Sequence, residues 1–331
     1  MLKIGFIDLD TSHPRSFVKR LNAMPGVRVS GVYDRGRKKG RLETLDFCRE
    51  FAVTEHFSVE ELCEACDGIM VLSADWATHF EDVCQCMRAG RPCYCDKPVF
   101  ASRAEIGSFL QLAAETGTRF LGGSGWRWNK RTQGFYESTK GSVVGDVLIS
   151  GQNELFYYGI HAVDWLLGLL GPGAEWIKYE RRTPDLSYVS LGHRRGCTVR
   201  MLLETTPETG RLFWAKADGQ EYFLSLDGDD IHDGICGSFV EMLRTGRQPG
   251  QYAEYLESLL VLFALEESRI TGQRIEIASA QLVPGFDSAA FGWQMFAAGA
   301  FINAVPGIAL QIVLVPVIVY SLAKAGLIIN E

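Results

Sequence analysis

The stretch Lys3-Ile4-Gly5-Phe6-Ile7-Asp8-Leu9-Asp10-Thr11-Ser12-His13-Pro14 decides the fold. Its first half is an apolar run of strand length. Its second half offers Ser12 as a cap and Pro14 in the first turn of a helix whose apolar positions are Phe17, Val18, Leu21 and Met24. Further strands are predicted over Val27 to Tyr33, Gly68 to Ser73, Pro92 to Cys95 and Arg119 to Gly122, alternating with helical stretches. That alternation predicts an α/β unit, a parallel sheet wrapped by helices, over residues 1–122. The amino end of the first helix is a ready anion site.

From about Gly123 the texture changes to longer amphipathic runs: Val143 to Asn153, Trp176 to Glu180, Thr198 to Thr205, Arg211 to Ala217 and Gln220 to Leu226. These predict a second, α+β domain over residues 123–286, with an open and mostly antiparallel sheet. Helices expected at Ile160 to Leu170, Ile235 to Arg244 and Tyr252 to Thr271 cover one face, and Arg274 to Ile277 closes the unit. The remainder, 287–331, is a hydrophobic helical tail. Ser288 to Ala323 carries no charged side chain, and an apolar run of ~20 residues spans a bilayer, so membrane contact is expected there, with a buried helix or an oligomer arm as the other reading.

A chain of 331 residues exceeds what one core usually supports. The net charge of -7, with no basic run longer than Arg35-Gly36-Arg37-Lys38-Lys39, argues against nucleic acid and for a small polar or anionic ligand. No signal-peptide pattern opens the chain, so a cytoplasmic body is expected, membrane-associated only through the tail. Nine cysteines, seven of them between Cys48 and Cys95, read as free thiols. Cys63-Glu64-Ala65-Cys66 alone has ligand-like spacing; Cys84-Gln85-Cys86 and Cys93-Tyr94-Cys95 do not, so small core hydrophobes are expected and no metal.

After the first strand, dinucleotide folds carry Gly-x-Gly-x-x-Gly; this chain has Asp8-Leu9-Asp10-Thr11-Ser12-His13. Two readings stand: a rewired loop, Leu9 to His13, in which Thr11, Ser12 and His13 supply phosphate contacts, or a loop that has stopped binding nucleotide. A carboxylate of Asp8 or Asp10 facing a phosphate would repel it. Asp34, ending the second strand, stands where an acidic residue accepts from the ribose of NAD, while Arg35, with Arg37 and Lys38, offers a seat for the 2'-phosphate of NADP. NAD is favoured.

The ordered set Ile69 to Ala74 with His79, Ala89 to Pro98 with Asp96-Lys97-Pro98, then Gly159-Ile160-His161-Ala162-Val163-Asp164 with Leu167-Gly168, resembles the Gfo/Idh/MocA family of glucose-fructose oxidoreductases and inositol dehydrogenases, over about residues 3–277. The resemblance implies a Rossmann domain, a substrate-binding domain, an oxidoreductase acting on a secondary hydroxyl of a sugar or cyclitol, and a homo-oligomer. It implies a cofactor site that includes Ser73, Ala74, His79, Asp96 and Lys97. Two departures stand out. Asp96 replaces the family's usual Glu, and Tyr157 falls where the family has its catalytic Asp.

On this reading His161 takes the hydroxyl proton, Lys97 stabilises developing negative charge, Tyr157 relays or positions, and Asp164 fixes the imidazole tautomer. Arg127, flanked by Trp126 and Trp128, meets either a polar substrate or a structural partner. The rival is a catalytically silent binding or sensing protein on the same fold.

Overall fold

The computed structural model describes residues 1–152, 158–183, 186–204, 211–226 and 228–277. The expectations for Tyr157 and for the apolar tail therefore lie outside the described residues. Among those residues no helix is long and apolar enough to cross a membrane.

The first half runs β1 (Leu2–Ile7), α1 (His13–Asn22), β2 (Val27–Tyr33), α2 (Gly40–Phe51), β3 (Thr54–Glu55), α3 (Val59–Ala65), β4 (Gly68–Val71), α4 (His79–Arg88), β5 (Cys93–Cys95), α5 (Arg103–Thr116) and β6 (Phe120–Gly122). Its six strands are all parallel, in the order β3-β2-β1-β4-β5-β6. The order reverses between β1 and β4, and in open sheets of this kind ligands bind in the crevice outside the carboxyl ends at that point. The expected face of α1 is buried through Phe17, Val18 and Leu21. Ser12 stands at its N-cap but its side chain makes no capping bond; Thr11 Oγ1 accepts from the His13 amide instead, at 3.2 Å.

The second half runs α6 (Gly125–Trp128), α7 (Lys130–Thr139), β7 (Val144–Gln152), α8 (Gly159–Leu170), β8 (Ala174–Arg182), β9 (Leu186–His193), β10 (Thr198–Glu204), β11 (Leu212–Ala217), β12 (Gln220–Ser225), α9 (Gly228–Thr245), α10 (Tyr252–Thr271) and β13 (Ile275–Glu276). The strand order is β12-β11-β7-β10-β9-β8-β13. Only β7 and β10 pair in parallel. Two departures from expectation are β9, which the sequence did not announce, and α9, which starts well before Ile235. All nine cysteines are free thiols; eight are buried, and Cys63 and Cys86 sit 3.9 Å apart, sulfur to sulfur.

Helix α9 returns from the second half to the first. Arg20 of α1 donates to Asp233 at 2.6 Å, and Ser16 Oγ meets His232 Nδ1 at 2.6 Å. On its other contact α9 approaches α6 so closely that a Cβ on Gly234 would stand 2.0 Å from the Trp128 carbonyl oxygen. Backbone cannot yield as a side-chain tip does. Gly234→Ala is expected to cost about 2–4 kcal/mol of stability, read as a lower midpoint in denaturant unfolding; an unchanged midpoint would show that α9 does not ride on α6.

Candidate functional site

The residues singled out in the sequence gather at the carboxyl edge of the parallel sheet, but several turn their side chains in unexpected directions. Asp8 takes the left-handed backbone, φ +63°, which a glycine would supply in a glycine-rich turn. Its carboxylate does not face outward. It accepts from the Arg35 amide at 2.9 Å, from Arg35 Nη1 at 2.7 Å and from Ser73 Oγ at 2.7 Å, and it is buried. The Asp8 charge is thereby paired, which weakens the expected repulsion of a phosphate.

Asp34 is engaged by its own neighbours. Its Oδ1 accepts from the amides of Leu9 (3.3 Å) and Gly36 (3.1 Å), and its Oδ2 accepts from Thr44 Oγ1 (2.5 Å), so the half-buried carboxylate also braces the loop. Arg35 is engaged likewise: Nη2 and Nη1 meet both oxygens of buried Asp82, and the guanidinium lies 5.1 Å from the Tyr33 ring centroid. His79 is fully buried, each ring nitrogen facing a carbonyl oxygen, that of Pro98 at 2.8 Å and that of Ser73 at 3.0 Å. It is a strut. Asp10 accepts from the Ala74 amide at 3.1 Å, which ties the loop after β1 to the one after β4.

His13 reaches forward to the end of β5. Its Nδ1 meets Asp96 Oδ2 at 2.8 Å, its ring stacks on Phe17 at 5.4 Å and meets the edge of His232 at 4.9 Å. Tyr94, fully buried, donates toward Asp96 Oδ1 (3.1 Å) or the Gly123 carbonyl (3.0 Å). Burial works against the Asp96 charge, yet His13 and Lys97 hold its carboxyl well below the usual carboxylate range. Burial also opposes the His13 charge, and Asp96 outweighs it, raising the imidazole above 6.5.

Lys97 follows at once, nearly buried, with Nζ 5.2 Å from the Tyr158 ring centroid. The same ring lies 6.1 Å from that of His161, so Tyr158 stands beside both. His161 stacks on Trp126 at 5.1 Å and 23°, and its Nδ1 meets Ser124 Oγ at 2.7 Å. Burial, reinforced by the charge of Lys97, drives the imidazole well below 6.5, so it is neutral at pH 7.

Asp164 does not touch that imidazole. Its Oδ2 accepts from the Ser124 amide at 2.5 Å, and Oδ1 accepts from Arg127 Nε at 3.1 Å. Arg127 is thus a buried partner of Asp164. The approach requires Gly123, at φ +93°, where a Cβ would fall 2.2 Å from Asp164 Oδ2. Ser124, Tyr94, Tyr158 and His232 were missed in the sequence. Only Ser124 carried a local signal, as the N-cap of α6, where its Oγ accepts from the Trp126 amide at 3.2 Å.

The left-handed turn at Asp8 and the amino end of the ten-residue α1 are features that could hold a nicotinamide dinucleotide. Residues 5–124 match the family model described as GFO_IDH_MocA, an oxidoreductase family with an NAD-binding Rossmann fold. No curated protein matches. Among solved structures, a probable dehydrogenase from Thermotoga maritima superposes with a TM-score of 0.74 at 15% identity, covering 83% of this chain and 99% of its own. Myo-inositol dehydrogenase from Lactobacillus casei, in complex with NAD(H) and myo-inositol, gives 0.72 at 15%, covering 86% and 99%. GenD2 from gentamicin A biosynthesis, in complex with NAD, gives 0.72 at 15%, covering 83% and 96%. At such identity the superpositions establish the fold.

The two imidazoles are pushed apart, and the His13 pair has a testable sign. Because folding raises the His13 value, its contribution to stability is full below 6.5 and is lost as pH rises through the folded-state value. Asp96→Asn is expected to drop the His13 titration below 6.5 in a proton NMR series. The stability penalty of the substitution should be larger at about pH 5.5 than at about pH 8.5. An unmoved titration would mean that Asp96 does not hold His13.

Proposed function

We propose that the chain is an NAD-dependent dehydrogenase that oxidises a secondary hydroxyl of a sugar, cyclitol or related polyol, or reduces the matching ketone. The observation that carries this reading is the convergence of Lys97 and His161 beside Tyr158, at the carboxyl edge of an NAD-binding Rossmann fold. When bound, the nicotinamide supplies the hydride acceptor. The residues of this chain supply the rest.

His161 is neutral at pH 7 and therefore ready to accept a proton. Donating Nδ1–H to Ser124 Oγ leaves the Nε2 lone pair for the substrate hydroxyl. Lys97 supplies a positive charge in a nearly dry site, where it stabilises the oxygen as negative charge develops. Trp126, stacked on His161, fixes the plane of the imidazole. Asp164 acts one step back, through Ser124. Leu9 to His13 and Ser73 to Ala74 line the crevice for the cofactor's phosphates, and the solved relative that holds myo-inositol supports a polyhydroxylated substrate. Assembly as a homo-oligomer through the open face of the second sheet belongs to the same reading: Leu212 and Phe223 are exposed there, on the side opposite buried Phe213 and Ala215.

NAD at about a hundred times its Kd should stabilise the folded chain by about 2.7 kcal/mol, seen as a raised melting temperature. No shift with NAD or NADP would favour the silent binding protein. With a polyol identified by reduced-nicotinamide absorbance, Lys97→Met should lower kcat by ~10²-fold or more while NAD affinity stays within a few fold. Equal losses of binding and rate would move Lys97 to the cofactor site. His161→Asn should lower kcat by ~10²–10⁴-fold. In the unaltered enzyme the acid limb of kcat/KM should lie below 6.5, since folding lowers the His161 value; a limb above it would remove His161 as the base.

A further inference from the structure

Arg35 leaves β2 and spans from Asp8, at the end of β1, to Asp82 on α4, and so lies across the crevice where the strand order reverses. In dinucleotide folds the adenosine half lies in this region. An acidic residue ending the second strand receives the ribose hydroxyls of NAD, and a nearby arginine receives the 2'-phosphate of NADP. Here that arginine is already engaged. Its Nη1 donates to Asp8 at 2.7 Å and to Asp82 at 3.1 Å, its Nη2 meets the other Asp82 oxygen, and its Cζ lies 5.1 Å from the Tyr33 ring centroid.

Of the neighbouring cations, Lys38 is exposed, while the other two have partners of their own. Asp34 adds a third carboxylate beside the single guanidinium. Arg37 faces Asp75 at 3.4 Å, and Lys39 donates to the Thr11 carbonyl at 2.6 Å. Asp82 is fully buried, so its effect is exerted through Arg35.

We propose that Asp82 is a specificity-determining residue: by clamping Arg35 against Asp8 it withholds the guanidinium from a 2'-phosphate, so that the chain takes NAD and rejects NADP. A bidentate carboxylate clamp suits this task because the fork geometry of a guanidinium that fits a carboxylate also fits a phosphate, and the two compete for the same donors. The surplus of carboxylates repels a dianionic group in the same place. Specificity then comes from an unfavourable arrangement toward the wrong cofactor rather than from an added contact to the right one.

The inference rests on the NAD reading above and is tested on the full chain by calorimetric titration with NAD, NADP, 5'-AMP and 2',5'-ADP. The unaltered chain should bind NAD at least ~10-fold more tightly than NADP, and Asp82→Asn should gain ~10-fold or more for NADP and 2',5'-ADP while NAD stays within ~3-fold. Adding Arg35→Gln to Asp82→Asn should abolish that gain. Asp8→Asn, which loosens Arg35 from the other side and keeps a residue tolerant of the left-handed backbone, should move the ratio in the same direction and covers the case in which Asp82 variants do not fold. A folded Asp82→Asn or Asp8→Asn that binds NAD with an unchanged NAD to NADP ratio overturns the role of Asp82 alone. A preference of the unaltered chain for NADP overturns it as well. Failure of the unaltered chain to bind either dinucleotide overturns both this inference and the cofactor reading.

Discussion

The carboxylate of Asp164 is the constraint on which the site depends. It is fully buried, and a buried charge without partners is untenable, so the corner after β6 must bring it the Ser124 amide and the Arg127 guanidinium. That demand fixes the corner against α8. Breaking such a pair by removing one partner typically costs ~3–5 kcal/mol. Once Ser124 is held, its hydroxyl meets His161 one turn earlier on the same helix, and Trp126 closes over the imidazole. The chemistry proposed for His161 is thus placed by a residue that never contacts it.

A second constraint sits across the crevice. Asp96 is charged although buried, because His13 and Lys97 surround it with positive charge. His13 comes from the first helix and Lys97 from the end of β5, so the pairing draws the helix's first turn over the sheet edge. Helix α9 then presses His232 onto the same imidazole. Burial, with the charges of His13 and Arg20 added, lowers His232 to about 4, so a neutral ring lies against the His13 ring. The two halves of the molecule meet through polar contacts chosen for charge, alongside apolar packing.

The alternation of strands and helices was legible because periodicity reports burial, and burial dictates the layers. Strand β9 escaped because Ser187, Ser190 and His193 are polar yet buried, which breaks the expected alternation. At the site, spacing located residues without orienting their side chains. Asp34 and Arg35 lie where spacing puts them, but what each side chain faces is decided by Thr44 and Asp82, and Asp82 is 47 positions from Arg35. The same holds for Arg127, whose partner Asp164 lies 37 positions on. Ser124 was inconspicuous because a serine's importance here lies in two hydrogen bonds, one local and one distant. Positions whose roles come from local backbone geometry, such as Pro14 in α1, were readable from the chain alone.

The parallel pairing of β7 with β10 constrains how the second sheet closes. Antiparallel neighbours can close through a tight turn, whereas parallel strands need a crossover, and here the chain between Gln152 and Thr198 contains α8, β8 and β9. The pairing of β7 with the central strand β10 therefore cannot zip up from a hairpin. Bringing the two strands together closes a long loop, which makes this contact entropically more expensive than a hairpin. Helix α8, bearing His161 and Asp164, lies inside that loop. Both residues are thus enclosed between the two parallel strands in sequence, so the topology of the sheet itself anchors them.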